Sequence, residues 1–521
     1  MPGCAAAVAS STKCAGAPNI NVIMVNRLSP EAAMYYFLDG PNSSTHLGVL
    51  FVLDPGARDS GTGPLDYGRL VSLVENRLQL VPRYRQVVVE VPLGLARPLW
   101  VDDVDFDITY HVRLSALPQP GTDEQLQELI ARVMSRSLDR RRPLWELNLI
   151  EGLSGGRMAV LVKSHRALVD GEANRELSEV LADPRPDAPP LPEELWSPDS
   201  RPSGSAVAMG ALAEAFARPG EVADSVLRGN GPVADLLALT DRSARFVGSA
   251  VGNLVNSAPD SPLNNTVGAA RLVTFATIGR DECRQVAERF ECSFTDVVLG
   301  IVTGVLRRWL LSIQETVGHG ETVRAVLPLI TRDPSAGDDR AAAETAGWTC
   351  EGEQDFVTDL PVGEDAPAVR LMQVAGLADR YSQSTRRMTS GVRPLLPDLG
   401  IVPFADVSVR AFNQIFQRSY NVPIRMCGQP VAPRYLGGVP ITGLYVLPTL
   451  LAQRALAISV VEYGDQVQFG FVADRNVLGD LPAMAGYVAE SFEELVTGGF
   501  PPVRPTSGSA GAGDGDPSPG E

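Results

Sequence analysis

The sequence predicts a mixed α/β fold in two similar lobes, in which helices cover one or both faces of a sheet. Strand and helix patterns alternate from residue 27 to residue 182, and they alternate again from residue 272 to residue 495. Between these parts lie a proline-rich stretch and helices rich in alanine, leucine and valine. No internal sequence repeat accompanies this two-part pattern.

The length of the chain limits the number of domains that it can form. A chain of 521 residues suggests about two to four domains and enough material for large hydrophobic cores. We expect ordered sequence to begin at Met24, so that either Met1 or Met24 is the start codon. The predicted divisions are a disordered lead (1–23), an N-terminal lobe (24–182), a proline-rich and helical crossover linker (183–264), a C-terminal lobe (265–498) and a disordered tail (499–521).

Charge, cysteine spacing and hydropathy exclude several classes of protein. The formal net charge of −17 argues against nucleic acid as the main partner, because phosphate binding favours a basic surface. The six cysteines lie far apart without a CxxC pair, which predicts free thiols in a reducing cytosol. No run of about 18 apolar residues occurs, so we expect a cytoplasmic protein, with peripheral attachment to the inner membrane face left open. Neither a metal nor a redox cofactor is predicted.

Hydrophobic periodicity and capping residues place the elements of the first half. Ser29-Pro30 is typical of a helix start, in which a capping side chain precedes proline in the first turn. The predicted helices are Arg27–Asp39, Leu65–Leu78 and Asp123–Leu138. The predicted strands are Thr45–Leu53, Gln86–Val91, Tyr110–Leu114, Leu147–Glu151 and Met158–Val162.

In the linker and second half, Thr295–Leu311 is apolar on nearly every face, which predicts a buried helix. The other predicted helices are Ala206–Ala217, Val222–Leu254, Arg280–Phe290, Ala366–Ser384, Asp406–Gln417 and one from about Leu481 to Leu495. The predicted strands are Leu272–Ile278, Val323–Leu329, Ile441–Val446, Leu456–Tyr463 and Gln466–Ala473.

A polar segment, Lys163–Gly171, follows the apolar strand Met158–Val162. Gly171 can adopt a positive φ where the chain turns into the polar helix Glu172–Leu181. A histidine followed five residues later by Asp-Gly, where a buried strand ends, resembles the HHxxxDG signature of CoA-dependent acyltransferases. Arg166 stands where that signature has its second histidine, which is credited as the base. The matching residues are His165, Arg166, Asp170 and Gly171.

The resemblance extends from about Arg27 to Leu495 and is to the bacterial wax ester synthase/diacylglycerol acyltransferase family. It is carried by an ordered set of short segments, each weak alone: Tyr110–Arg113, Arg142–Glu146, Ile150–Leu153, Asp296–Leu299, Val326–Pro328 with Arg332, Asn421–Pro423 and Phe469–Asp474. The resemblance implies two chloramphenicol-acetyltransferase-like lobes with an active-site tunnel between them. It also implies transfer of a fatty acyl group from CoA to an alcohol or diacylglycerol.

Because Arg166 replaces the second histidine of the motif, the group that would accept the proton is not evident from the sequence. A hydroxyl that attacks a thioester needs a base, and a guanidinium, with a pKa above about 12, offers no acceptor lone pair. Three interpretations stay open. His165 takes over as base, although alternation along a strand would point it away from Arg166. Arg166 serves as an oxyanion or phosphate clamp in a slow enzyme. Or the protein is a catalytically silent relative that binds acyl-CoA or lipid.

Other positions carry weaker predictions. Asp170 either orients the motif turn through an ion pair or interacts with a helix dipole, and the resemblance implies a structural role. Thr295 stands where the family has asparagine, before Asp296, and its hydroxyl could instead cap the buried helix. Asn421 and Pro423 resemble the family's NVPG, but Ile424 replaces the glycine and would crowd a site that needs close backbone approach. We predict substrate-binding roles for Thr295, Asp296, Asn421 and Pro423.

The remaining histidines are predicted to be packed or surface side chains rather than catalytic groups. His46 and His111 fall within predicted strands, and His319 falls in a polar loop.

The expected function is acyl-CoA-dependent O-acylation, with acyl-CoA as co-substrate and no cofactor. The acceptor is diacylglycerol, giving triacylglycerol, or a long-chain alcohol, giving a wax ester, and Arg166 weakens the reaction. The alternative is a silent acyl-CoA- or lipid-binding relative, and a condensation-type enzyme with carrier-protein donors is a third possibility. Peripheral contact with a membrane or lipid droplet stays open, and no nucleic-acid partner is expected.

Overall fold

A computed structural model describes residues 26–57, 65–92, 96–169, 176–217, 258–328, 355–388, 420–426 and 432–498. Some of the predictions above lie outside the described residues. They concern Asp170, Gly171, Arg332, the helices Val222–Leu254 and Asp406–Gln417, and the terminal segments 1–23 and 499–521.

The N-terminal part and the linker contain the first helices and strands. The helices are α1 (Pro30–Leu38), α2 (Tyr67–Arg77), α3 (Ile108–His111), α4 (Asp123–Met134), α5 (Arg166–Val169), α6 (Leu177–Leu181) and α7 (Gly204–Ala217). The strands are β1 (His46–Leu53), β2 (Gln86–Val89), β3 (Leu99–Asp102), β4 (Val112–Ala116), β5 (Trp145–Glu151), β6 (Met158–His165) and β7 (Ala182–Asp183). Short 3₁₀ turns lie at Pro55–Ala57, Leu78–Leu80, Pro82–Arg85 and Ser154–Gly156.

The C-terminal part begins with a long strand and ends with a helix. Its helices are α8 (Arg280–Arg289), α9 (Phe294–Ser312), α10 (Pro367–Met388) and α11 (Ala483–Thr497). Its strands are β8 (Arg271–Gly279), β9 (Val323–Pro328), β10 (Asp355–Leu360), β11 (Val422–Met426), β12 (Tyr435–Leu436), β13 (Val439–Leu447), β14 (Leu456–Tyr463) and β15 (Gln466–Asp474).

Side-chain caps fix several helix starts. Ser29 accepts the backbone N–H of Ala32, and Pro30 occupies the first turn of α1, as the sequence predicts. A capping box between Thr122 and Gln125 opens α4, in which each residue satisfies a backbone N–H of the other. These local bonds satisfy amide groups that the helix itself leaves without partners.

The larger sheet has the strand order β4-β5-β6-β1-β13-β12-β7. The central pair, β1 and β6, is antiparallel and places His46 opposite His165. Strand β13 comes from the predicted C-terminal lobe, yet it pairs antiparallel with β1. The predicted domain ranges stay predictions, and this pairing adds that the segment Tyr435–Leu447 completes the N-terminal sheet.

The second sheet has the order β10-β9-β11-β14-β15-β8, and helices α8, α9, α10 and α11 pack around it and against one another. Helix α9 is buried along most of its length, which confirms the prediction made from its apolar sequence. Between the sheets, α4 packs on β8, and a shared apolar cluster includes Leu50, Ile130 and Val472. The two lobes are therefore joined by a hydrophobic core as well as by a shared sheet.

One predicted strand is wrong at its start. His111 was expected in a strand, but it ends the helical turn α3, and β4 begins one residue later. The Asp107 carboxylate accepts the N–H and hydroxyl of Thr109 and so stabilises that turn. Within the described ranges, every helix is either too short or too polar to span a membrane.

Candidate active site

The motif lies where β6 passes directly into α5. All eight residues of β6 are buried, and Arg166 is the first residue of the helix rather than a residue of the strand. We expected His165 to point away from Arg166 because side chains alternate along a strand. That premise is wrong, because only His165 belongs to the strand. The two side chains are instead directed by a strand end and by a helix start, respectively.

His165 is fully buried and both of its ring nitrogens are engaged. The Ala167 backbone N–H donates to Nδ1 at 3.0 Å, and Nε2 lies 3.0 Å from Oγ1 of Thr45. The Thr45 hydroxyl donates to the carbonyl of Tyr35, so Nε2–H of His165 is the donor to Thr45. Burial lowers the pKa of His165, which favours the neutral imidazole. In this geometry the one lone pair of the His165 ring is already used.

Asp39 connects this histidine to the rest of the site. Its carboxylate accepts the backbone N–H of Thr45 at 3.1 Å and Nη2 of Arg140 at 3.3 Å. The carboxylate oxygens also lie 3.8 Å from Nε2 of His165 and 3.9 Å from Nε2 of His46. Burial opposes the charge, but the contacts with His165, His46 and Thr45 outweigh it and lower the pKa of Asp39.

His46 and His111, predicted to be packed or surface side chains, are both buried. The His46 ring lies 5.7 Å from that of His165, and within the described part of the chain neither of its ring nitrogens has a hydrogen-bond partner. Burial lowers the pKa of His46 well below its ordinary value. His111 stacks on Trp145 at 4.5 Å, and its Nδ1 lies 2.8 Å from the Trp145 carbonyl.

Arg166 packs on helix α1 of the same lobe. Its guanidinium lies 4.5 Å from the centre of the Tyr35 ring, and Nη2 donates to the Tyr35 hydroxyl at 3.2 Å. Its backbone N–H donates to Thr45, so the start of α5 is fixed to the same residue that holds His165. Arg166 lines neither the cavity of about 190 Å³ beside Trp145 nor the cavity of about 290 Å³ beside Arg271. The tunnel between the lobes stays a prediction.

Lys163 lies beside the candidate site, on the same strand as His165, and the motif comparison did not single it out. Its side chain is fully buried, and Nζ donates to the carbonyls of Val133 and Arg136 and to Oε1 of Glu146. Burial lowers the pKa of Lys163. The signal in the sequence was a lysine on a strand that is otherwise apolar, since such a residue is rarely buried without partners.

The opposite face of β6 carries a second buried polar cluster, which was not predicted. The Ser164 hydroxyl donates to Oε1 of Glu176 at 3.3 Å and lies 3.2 Å from the hydroxyl of Tyr84. The Ser178 hydroxyl donates to the other oxygen of Glu176. Burial, with the nearby charge of Glu179, raises the pKa of Glu176 well above its ordinary value.

Thr295 and Asp296 lie at the start of α9. Ser293, and not Thr295, caps this helix, because its hydroxyl accepts the backbone N–H of Asp296. Asp296 completes a capping box by accepting the N–H and hydroxyl of Ser293 at 2.9 and 2.6 Å. Thr295 is exposed. The suggested capping role of Thr295 is therefore wrong, and the substrate-binding roles of Thr295 and Asp296 stay predictions.

Pro423 lies in β11 of the second sheet, and Asn421 directly precedes that strand. Asn421 is fully buried: Oδ1 accepts the N–H of Arg324 at 2.7 Å, and Nδ2 donates to the Pro259 carbonyl at 2.8 Å and to Asn264. Pro423 pairs with Val326 in the parallel β11–β9 ladder. Ile424, expected to crowd a substrate site, is buried in the apolar core of this lobe. The structure thus places these residues away from the sheet that contains His165.

Solved structures that resemble this chain include an acyltransferase and a condensation domain. The wax ester synthase/diacylglycerol acyltransferase from Marinobacter aquaeolei VT8 has a TM-score of 0.63 and 21% identity, covering 90% of this chain and 98% of that chain. The first condensation domain of the calcium-dependent antibiotic synthetase has a TM-score of 0.53 and 14% identity, covering 91% and 97%. Both likenesses confirm the predicted fold of two chloramphenicol-acetyltransferase-like lobes.

Family models identify the chain more closely. The wax ester synthase/diacylglycerol acyltransferase catalytic domain matches residues 28–298, and the WS/DGAT C-terminal domain matches residues 356–496. The chain therefore belongs to the wax ester synthase/diacylglycerol acyltransferase family, as the sequence resemblance indicates.

Two Mycobacterium tuberculosis proteins are similar in sequence. "Probable diacyglycerol O-acyltransferase tgs3" is 42% identical over 275 residues, which cover 52% of this chain and 99% of the relative. "Probable diacyglycerol O-acyltransferase tgs2" is 27% identical over 469 residues, which cover 90% of this chain and 98% of the relative. Family membership and these names support an acyltransferase.

Proposed function

We propose that the chain transfers a long-chain acyl group from CoA to the hydroxyl of diacylglycerol, and that Arg166 makes the transfer slow. In this reaction the acceptor oxygen forms a bond to the thioester carbonyl carbon, the C–S bond breaks, and the hydroxyl proton ends on the CoA thiol. The proposal rests on family membership and on the names of the relatives. Acyl-CoA is the co-substrate, and no cofactor takes part.

One observation supports the proposal that acyl transfer is slow. His165 uses both ring nitrogens within the buried network, and the next residue is a permanent cation that cannot accept a proton. A positioned base contributes about 10²–10⁴-fold to such a step. Without one, the protein retains substrate positioning, and the Arg166 guanidinium can still donate hydrogen bonds to a developing oxyanion.

A silent acyl-CoA- or lipid-binding protein is the second candidate, and the histidines favour it. All four histidines lie in the described part of the chain, and His46, His111 and His165 are buried. His319 is exposed, in a turn of the C-terminal part. None of the four therefore presents an accessible imidazole beside the motif.

The test compares wild type with Arg166→His and Arg166→Gln, using labelled long-chain acyl-CoA with diacylglycerol or a fatty alcohol. We expect Arg166→His to increase turnover by about 10²-fold or more, because it restores a base at that position. Arg166→Gln is the matched control, since it removes the cation without adding a base, and it should not gain activity. Product identity from the two acceptors separates triacylglycerol synthesis from wax ester synthesis.

Three other results would count against the proposal. Wild-type turnover as high as that of Arg166→His would show that the base lies elsewhere. Binding of acyl-CoA without turnover in all three proteins would favour the silent relative. Preference for a phosphopantetheinyl carrier protein over CoA as donor would indicate a condensation-type enzyme.

A further inference from the structure

A groove lined mainly by arginines lies where the two lobes meet. It has a volume of about 290 Å³, and one wall is the last turn of α4 while the other is the start of β8 with the residue after β15. The Ser135 hydroxyl accepts the backbone N–H of Arg271 at 2.9 Å and so joins the walls. The lining residues are Ala131, Arg132, Ser135, Arg136, Ala270, Arg271 and Arg475. We call this the inter-lobe arginine groove.

The net charge of the groove is positive, because in the part of the chain that the structure describes only its buried arginine, Arg271, is paired with a carboxylate. Arg132, Arg136 and Arg475 are exposed, and among the described residues no carboxylate lies within ion-pair distance of any of them. Arg271 forms the buried base of the groove, 3.7 Å from Asp474, and donates to the carbonyls of Gly268 and Asn42. In a chain with a net charge of −17, such a concentration of cations favours an anionic ligand.

The end of α4 would ordinarily disfavour an anion, because unpaired carbonyls give a helix C-terminus a negative partial charge. Here the fully buried ammonium of Lys163 binds the carbonyls of Val133 and Arg136 at 2.8 and 2.5 Å. The Ser135 hydroxyl donates to a third carbonyl, that of Ala131, at 2.6 Å. Three carbonyls at this helix end are therefore satisfied, two of them by Lys163, which is itself paired with Glu146.

The same lysine relates the groove to the motif. Lys163 lies two residues before His165 on β6, so their side chains share a face of the strand, about 7 Å apart. Lys163 thus links the end of α4, which forms one wall of the groove, to the strand that carries His165. Planar guanidinium groups suit phosphate oxygens, which they bind with paired hydrogen bonds.

We propose that the inter-lobe arginine groove binds phosphate groups. We further propose that these are the phosphates of the acyl-CoA donor, a step that rests on the proposed function. The arginines then hold the nucleotide end of the donor while its thioester extends toward the motif. A phosphate-bearing lipid headgroup has the same chemistry, and the experiment separates the two sources.

The test measures binding of free CoA, which carries no acyl group and cannot turn over, by calorimetry on the full-length chain. The variant Arg136→Gln/Arg475→Gln removes two exposed groove cations, and we expect it to weaken CoA binding about tenfold or more. The control Arg185→Gln/Arg284→Gln removes two exposed charges that do not line the groove, and it should change affinity less than about twofold. Pantetheine, which has no phosphate, should bind all three proteins equally.

A second arm uses sedimentation with vesicles of equal parts phosphatidylcholine and phosphatidylglycerol. Loss of vesicle binding in the groove variant, with CoA binding unchanged, would overturn the assignment to acyl-CoA and identify the headgroup as the source. If the groove variant matches wild type in both arms, the groove is not a phosphate site. Groove-dependent CoA binding in a protein that transfers no acyl group would support the groove while refuting the proposed function.

Discussion

The two faces of the motif strand β6 both carry a buried carboxyl group, and the two groups respond to burial in opposite ways. Asp39, on the His165 side, meets an arginine, two imidazoles and a backbone N–H, and its pKa is lowered. Glu176, on the Ser164 side, meets hydroxyl groups and the nearby charge of Glu179, and its pKa is raised. The difference teaches that a carboxyl with cationic and N–H partners keeps its charge in the interior, whereas a more deeply buried carboxyl with hydroxyl partners favours its protonated form.

The largest expected effect is from Asp39→Asn. The amide keeps the size of the carboxylate but removes the charge that holds Arg140 and that orients His165. We expect a loss of about 2–3 kcal/mol in the free energy of unfolding at neutral pH, measured by urea denaturation. A loss below about 0.5 kcal/mol would contradict an ionised Asp39 at this position.

Because folding lowers the pKa of Asp39, its contribution is present above the ordinary value near about 3.9 and is lost as the pH falls below it. Wild type should therefore lose more stability than Asp39→Asn in that acidic range. Equal acid sensitivity of the two proteins would contradict the assignment.

The imidazoles on the same face predict a second pH effect. Burial lowers the pKa of both His46 and His165, so the fold favours their neutral forms. The stabilising contribution of the two neutral imidazoles should be fully present above about pH 6.5, and the free energy of unfolding should decrease as the pH falls below that value. We expect His46→Leu to reduce this decrease, because the variant lacks an imidazole whose ring nitrogens have no partner in the described structure.

His319→Leu is the matched control, since it removes an exposed histidine from the other lobe. Urea denaturation at about pH 7.5 and about pH 5 measures both variants against wild type. The same pH dependence in wild type and His46→Leu would show that His46 is hydrated or paired in solution.

A third buried carboxyl, Asp296, extends the comparison to the other lobe. It accepts both the N–H and the hydroxyl of Ser293 in the capping box of α9. We expect Ser293→Ala to lower the free energy of unfolding by about 1 kcal/mol. Thr295→Ala, two positions along, is the control and should stay within about 0.5 kcal/mol, since Thr295 is exposed and does not cap the helix. A larger loss of stability in Thr295→Ala than in Ser293→Ala would indicate that Thr295 caps the helix after all.

The smallest effect is expected from Glu176→Gln when it is compared with wild type at about pH 4, below the ordinary pKa of a glutamate. A glutamine resembles the protonated acid that burial favours, so the free energy of unfolding at that pH should change by less than about 1 kcal/mol. Because folding raises the pKa of Glu176, its contribution is present below the ordinary value and is lost as the pH rises through the folded value. As the pH rises, the free energy of unfolding measured by denaturation should therefore become larger for the variant than for wild type. A large loss in the variant would mean that Glu176 is an ionised, paired group.

Local patterns in the sequence predicted most of the regular elements. The strand Leu456–Tyr463 has the predicted bounds, and the buried helix differs from the predicted Thr295–Leu311 by one residue at each end. These segments have strong periodicity and clear ends. The start of β4 was wrong because one carboxylate, that of Asp107, stabilises a helical turn that hydrophobic alternation does not reveal.

The site was predicted in part. The motif comparison identified His165 and Arg166, but Asp39, Thr45 and Arg140 did not stand out, because each is ordinary in its own segment. They meet His165 only when β1 pairs with β6 and the loop after α4 folds back on α1.

The sequence by itself determined the two-lobe α/β class, the family resemblance and the presence of a guanidinium where a base is expected, because these depend on residue order and side-chain type. Only the tertiary structure decided that both nitrogens of His165 are occupied and that β13 completes the N-terminal sheet. It also decided that arginines from both lobes share one groove. Hydrogen bonding and charge clustering of this kind depend on distances between residues far apart in the chain, and those distances exist only after folding.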